Sequence, residues 1–224
     1  MSKITVSIHQ PAYLPWLGYF DRIIRSDIFV FLDTVQFEKN SFINRNQILS
    51  RQGPTWLTIP VKMKGHTDAT LKTTEIDNTQ KWQKKHLKSI EFNYKKAIHF
   101  DRVWESIRDF YTNEYQYLSD FCFEQLHVWC DYFNISTHIV RASHLDVKGS
   151  KSDLILNLCN YYKSTNYLSG KLGVDYLDIA AFNSAGIDVE IQNFQCERYP
   201  QLLSDFVPNL GILDYAMNCG KALK

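Results

Sequence analysis

The sequence predicts an α/β fold, an open and mostly parallel sheet with a helical middle section. Three observations carry this expectation. Ile4-Thr5-Val6-Ser7-Ile8 is short, β-branched and alternating, as a first strand should be. Apolar positions then fall at Trp16, Phe20, Ile23 and Ile24, which is helical spacing, and Ile28-Phe29-Val30-Phe31-Leu32 follows as an unbroken apolar run of the kind buried on both faces of a parallel sheet. Strand, helix and strand in that order form a βαβ unit with a right-handed crossover. After a helical stretch the β/α rhythm returns at Thr137.

Between the first strand and first helix, Pro11 and Pro15 stop both kinds of regular structure, since each lacks a backbone N–H and restricts its neighbour. His9 and Gln10 therefore stand at a strand's carboxyl end, where open α/β sheets hold ligands. Asp33 closes the second strand beside the same sheet edge. From Thr34 to Arg51 the chain turns polar. Within it, Asn44-Arg45-Asn46-Gln47 gathers three amides and a guanidinium, either as a solvated connection or as a ligand-holding loop. Trp56 to Lys62 reads as a strand whose Pro60 suits an edge or a bulge, and Lys62, Lys64 and His66 follow as an exposed basic stretch or a phosphate contact.

The helical portion spans about residues 80–134. Trp82, His86, Ile90 and Tyr94 recur every four residues on one face, which makes His86 a packed histidine rather than a ligand. Further helices are expected over Asp101–Tyr111 and Tyr117–Phe133, then a strand at Thr137–Arg141. Ser150 to Asp153 offers N-cap residues, Asn166–Leu168 a short strand, Val174–Asn183 a helix ended by Gly186, and Val189–Ile191 the last strand. The tail from Asn193 mixes turns with short helical pieces. No linker or repeat divides the chain, so residues 1–224 are expected to form one domain.

Composition excludes several classes. With 25 Lys+Arg against 24 Asp+Glu the net charge is +1, which gives no electrostatic case for nucleic acid or an anionic membrane. Five scattered cysteines without a C-x-x-C pair, no signal-peptide pattern and no long apolar run predict a cytoplasmic protein without stable membrane insertion and without a structural metal. Zincin, α/β-hydrolase and paired-carboxylate glycosidase patterns are absent. Ser169-Gly170-Lys171-Leu172-Gly173 sits between a strand and a helix, where glycines let the backbone approach an anion and a lysine complements its charge; an ordinary βα turn is the alternative.

His9-Gln10-Pro11 with Tyr13-Leu14-Pro15-Trp16 and Gly18-Tyr19-Phe20 opens a pattern that runs through Phe31-Leu32-Asp33, Gln36-Phe37, Asn44-Arg45-Asn46 and Trp56-Leu57-Thr58-Ile59-Pro60-Val61. It continues in the Trp82 and His86 helix, Tyr167-Leu168-Ser169-Gly170 and Phe206–Asp214. Over nearly its whole length the chain thus resembles the WbqC-like family. The resemblance implies bacterial surface-polysaccharide (O-antigen, lipopolysaccharide) biosynthesis. As a reaction it implies transfer of an acyl or aminoacyl group to the amine of a nucleotide-linked amino sugar. The strand, histidine loop and helix, with Ile28 to Phe37, are also similar to the opening of the nucleotidylyltransferase superfamily, a Rossmann-like scaffold that binds ATP through a His-x-Gly-His loop. Here Trp16-Leu17-Gly18-Tyr19 stands near the place of the second histidine.

On this reading His9 and Gln10 contact the reacting group or a phosphate, and Asp33 orients a hydroxyl or amine. Arg45 with Asn44 and Asn46 holds a diphosphate or donor through charge-assisted bonds, and Gln36 adds a substrate contact. Tyr13 and Trp16 stack on a sugar or base, and Ser169, Gly170 and Lys171 supply a second anion contact. No cofactor is fixed by the residues: ATP with magnesium, or an acyl or aminoacyl donor, are the candidates. ATP-dependent nucleotidyl transfer or amide ligation, and a non-catalytic glycan-binding or scaffold protein, remain as alternatives. Oligomeric state is not encoded in any pattern.

Overall fold

The computed structural model describes residues 3–39, 41–62, 69–221 and 223. Lys64 and His66, read as an exposed basic stretch or a phosphate contact, lie outside the described residues. The chain divides into two compact units, one of residues 1–10, 18–34 and 136–195, the other of 11–17, 35–135 and 196–224.

In chain order the regular elements are β1 (Thr5–His9), α1 (Leu17–Ile24), β2 (Ile28–Phe31), β3 (Arg45–Ser50), β4 (Gly53–Thr58), α2 (Trp82–Tyr94), α3 (Phe100–Ile107), α4 (Leu118–Phe133), β5 (His138–Arg141), α5 (Lys151–Tyr161), β6 (Asn166–Ser169), α6 (Ile179–Ser184), β7 (Asp188–Ile191) and α7 (Ile212–Cys219). The first unit contains a five-stranded, all-parallel sheet in the order β5-β2-β1-β6-β7. Burial follows position: β1, β2 and β6 are almost wholly buried, while the edge strands β5 and β7 stay partly exposed. Val6, Phe29, Val30, Phe31, Tyr167 and Leu168 are at most 1% exposed, each worth about 1.5–3 kcal/mol of apolar burial. The turn from α1 into β2 is tied back to the sheet, because Asp27 Oδ2 accepts from Thr5 N at 2.7 Å and Asp27 N donates to Thr5 O at 2.9 Å.

The second unit holds an antiparallel hairpin, β3 paired with β4, and helices α2, α3, α4 and α7. Trp82, His86, Ile90 and Tyr94 are all buried, so the four-residue stripe of α2 faces the core as its spacing requires. Tyr94 OH donates to Asp214 Oδ1 at 2.7 Å and accepts from Leu49 N at 2.8 Å, joining α2, α7 and β3.

Three local expectations change. The polar stretch ending at Arg51 is not all connection: Arg45–Ser50 is β3, and Gly53, at φ +106°, supplies the positive dihedral that the tight turn into β4 needs. The helix expected from Val174 begins only at Ile179, where Asp178 accepts from Ala181 N as an N-cap, and Lys171–Asp175 is a 3₁₀ segment. Ser150 occupies the N-cap position of α5 but makes no side-chain capping bond.

Candidate functional site

Counting strands as they enter the sheet, the first unit reads 3-2-1-4-5. That order reverses between β1 and β6, and in open parallel sheets the crevice at the carboxyl ends of such a pair is where ligands bind. His9 ends β1 and Ser169 ends β6. Both strands deliver polar residues there because their apolar runs finish at Ile8 and Leu168.

His9 Nδ1 donates to the Gln10 carbonyl at 2.8 Å, an assignment that places the lone pair on Nε2. The same carbonyl accepts from Tyr19 OH at 3.2 Å, and the Tyr19 ring meets the imidazole edge-on at 4.7 Å. Although part of His9 reaches solvent, packing round the ring and the charge of Arg22 bring its pKa down to about 3. It is a neutral imidazole at physiological pH. The Gln10 side-chain amide makes no hydrogen bond to other described residues.

Arg22, on α1, is only 4% exposed and donates from Nη2 to Ile8 O at 2.8 Å. Its Nη1 lies 2.6 Å from where a Cβ at residue 170 would stand, so Gly170 is small because a guanidinium occupies that space. Ser169 is buried with its hydroxyl donating to Gly170 O at 3.2 Å, and Lys171 is exposed. Arg22 was invisible to pattern reading, since an arginine on an amphipathic helix scores as solvent-facing; its signal was position, three residues after the buried Tyr19.

Asp33 lies just past β2 and is fully buried. Its Oδ2 accepts from Arg141 Nε at 2.9 Å, Arg141 Nη2 at 2.8 Å and Ser143 Oγ at 2.8 Å, while Oδ1 accepts from Ser143 N at 2.9 Å. A carboxylate so engaged holds the ends of β2 and β5 together. Arg141 and Ser143 were not anticipated, being far from Asp33 in sequence.

The other expected contacts belong to the second unit. The trio expected to hold a diphosphate is separated: Arg45 and Asn46 point to opposite faces of β3, and Asn44, just before the strand, is buried like Asn46 while Arg45 is partly exposed. Asn44 Nδ2 donates to Ile59 O at 2.8 Å and Asn46 Nδ2 to Leu14 O at 2.6 Å, so both amides fasten backbone. Arg45 stacks over Trp56 at 4.4 Å, next to Phe42 (rings 5.9 Å apart), which in turn neighbours Trp16 at 6.1 Å. Trp16 thus belongs to a run of partly exposed aromatics. Gln36 is exposed and bridged to Thr70.

The stacking role expected of Tyr13 finds no open ring face. Tyr13 is fully buried, its hydroxyl 2.8 Å from His86 Nδ1 and 2.5 Å from Tyr111 OH, while His86 Nε2 lies 3.1 Å from Thr58 O. Because a carbonyl only accepts, Nε2 carries the proton and Nδ1 accepts from Tyr13. Tyr13→Phe is expected to cost about 1–3 kcal/mol in urea unfolding, by leaving His86 and Tyr111 without their partner; an unchanged midpoint would contradict this chain of bonds.

Among the described residues no helix is long and apolar enough to cross a membrane. A protein from Mycobacterium tuberculosis (strain ATCC 25618 / H37Rv), "Uncharacterized protein Rv1507c", is 35% identical over 217 residues, covering 96% of this chain and 94% of that relative. The model of the WbqC-like protein family matches residues 10–224, a span that takes in most of both units. By that match the chain belongs to the WbqC-like protein family.

Proposed function

We propose that this protein is a cytoplasmic transferase of surface-polysaccharide biosynthesis, moving an acyl or aminoacyl group onto the amine of a nucleotide-linked amino sugar. The observation that carries the reading is the clustering of His9, Gln10 and Ser169-Gly170 at the carboxyl ends of the two strands where the sheet order reverses. Membership of the WbqC-like family supports the pathway assignment.

His9 supplies the proton transfer. The sugar amine attacks the acyl carbon, forming a C–N bond and a tetrahedral adduct whose nitrogen is strongly acidic. Neutral His9 takes that proton at Nε2 and returns it to the leaving group, which departs with the electron pair of the broken bond. In the free protein burial and the charge of Arg22 keep the imidazole unprotonated, and it gains the basicity that proton transfer needs when an anionic substrate offsets the Arg22 charge. Gln10 orients the sugar through its amide. Trp16 and its aromatic neighbours give the second unit a stacking surface of its own for a sugar or base.

Purified protein incubated with UDP- or dTDP-linked amino sugars and acyl or aminoacyl donors, with and without ATP and magnesium, should yield a sugar nucleotide heavier by the acyl group. Mass spectrometry reads this directly, and sugar nucleotides bound without any change in mass would identify a binding protein instead. A folded His9→Ala variant is expected to lose about 10²- to 10⁴-fold in kcat, and full turnover in that variant would remove His9 from the chemistry.

A further inference from the structure

We infer that Arg22 is the anion-binding residue of the β1–β6 crevice and that it takes a phosphoryl group of a nucleoside diphosphate moiety. This deepens the reading of that crevice as the substrate site and rests on it.

Arg22 carries a buried charge that no ion pair offsets among the described residues. A guanidinium stays protonated under all ordinary conditions, and burying one without a counter-charge is costly. Arg22 is 4% exposed, yet no carboxylate pairs with it among the described residues. Asp21, its chain neighbour, is engaged by Arg25 and by Gln192 Nε2 at 2.6 Å. The other polar groups around it are the hydroxyls of Tyr19, Tyr167 and Tyr176, and tyrosine is ordinarily neutral near pH 7. Of its donors, Nη2 meets a single neutral carbonyl and Nε has no partner at all.

A purely structural tie from α1 to the end of β1 requires one neutral hydrogen bond, which a glutamine could make without burying a charge. The position of the charge points to a ligand. Arg22 reaches Ile8 at the end of β1 and Gly170 beyond the end of β6, so its guanidinium spans the place where the strand order reverses. Residue 170 carries no Cβ to cover Nη1. A phosphoryl group entering there would gain charge-assisted bonds and cancel the buried charge, and arginine is the side chain best suited to that geometry.

The test is a titration of the whole protein with inorganic pyrophosphate, UDP and uridine in metal-free buffer. It is followed by calorimetry and by the side-chain Nε–H resonance of Arg22, assigned by its loss in Arg22→Lys. Pyrophosphate and UDP are expected to bind more tightly than about 1 mM and to shift that resonance, whereas uridine leaves it in place. Arg22→Gln should weaken pyrophosphate by about ten- to a hundred-fold. Gly170→Ala, which keeps the charge but sets a Cβ against Nη1, should weaken it as well. A resonance unmoved at saturating pyrophosphate, undiminished binding in a folded Arg22→Gln protein, or no pyrophosphate binding at all would overturn the inference. If pyrophosphate binds through Arg22 but no sugar is acylated, the transferase reading falls and this one stands. If sugars are acylated while phosphate binding is indifferent to Arg22, this inference falls and the transferase reading stands.

Discussion

Lowering the pH from 7 to about 4 is expected to destabilise each unit through one buried neutral histidine, by on the order of 3 kcal/mol for His86 and no more than that for the partly exposed His9. Burial is the main cause in both, and it brings the His9 pKa down to about 3 and that of His86 to about 4, from an ordinary 6.5. The unfolded chain therefore takes up a proton at each imidazole below about pH 6.5, while the folded protein resists until about 4 and 3. Stability from this source is fully present above 6.5 and is lost as pH falls through that window. For His86 the mechanism is concrete: a proton on Nδ1 would oppose the hydroxyl hydrogen that Tyr13 donates there. Asp214, whose carboxyl burial holds above its usual range, works in the opposite sense and limits the net slope in the second unit. Urea midpoints measured between pH 7 and 4 should fall steadily, and the ring resonances of His9 and His86 should not titrate above pH 5. A flat midpoint with both rings titrating near 6.5 would show that neither is held neutral.

Replacing Asp33 by alanine is expected to cost about 3–5 kcal/mol, the usual result of removing one partner from a buried ion pair. Four hydrogen bonds end on that carboxylate, two of them from Arg141, whose side chain is only 12% exposed. Losing the carboxylate takes away the charge that Arg141 meets at 2.8 Å in a low-dielectric position. Pairing Asp33→Leu with Arg141→Met should recover much of the loss, because the Arg141 charge goes too. Thermal or urea unfolding reads both variants, and turnover separates the two roles considered for Asp33. An Asp33→Ala protein of native stability but without activity would place the carboxylate in the chemistry instead of the scaffold.

The place of His9 at the end of β1 was legible because the alternating apolar run stops at Ile8, and the parallel sheet was legible because β1 and β2 are short, β-branched or aromatic, and buried on both faces. β3 was hidden for the complementary reason. Arg45, Asn46 and Gln47 are poor strand formers by composition, and they adopt one because backbone partners on β4 and the Leu14 carbonyl secure them. Arg22 and the Asp33–Arg141 pair were hidden by distance. Arg141 lies 108 residues from Asp33, and no local pattern announces that a helical arginine will face a sheet end.

The sheet order has a consequence for how the chain is made. β5 pairs directly with β2, yet residues 35–135 of the second unit are synthesised between them, and that unit is completed only by the segment after residue 195. A nascent chain halted at residue 135 would carry just two of the five sheet strands and an unfinished second unit, with the edge of β2 still unpaired. Folding during synthesis can therefore complete neither unit before β7 has emerged, and no single cut can release either one as a continuous fragment.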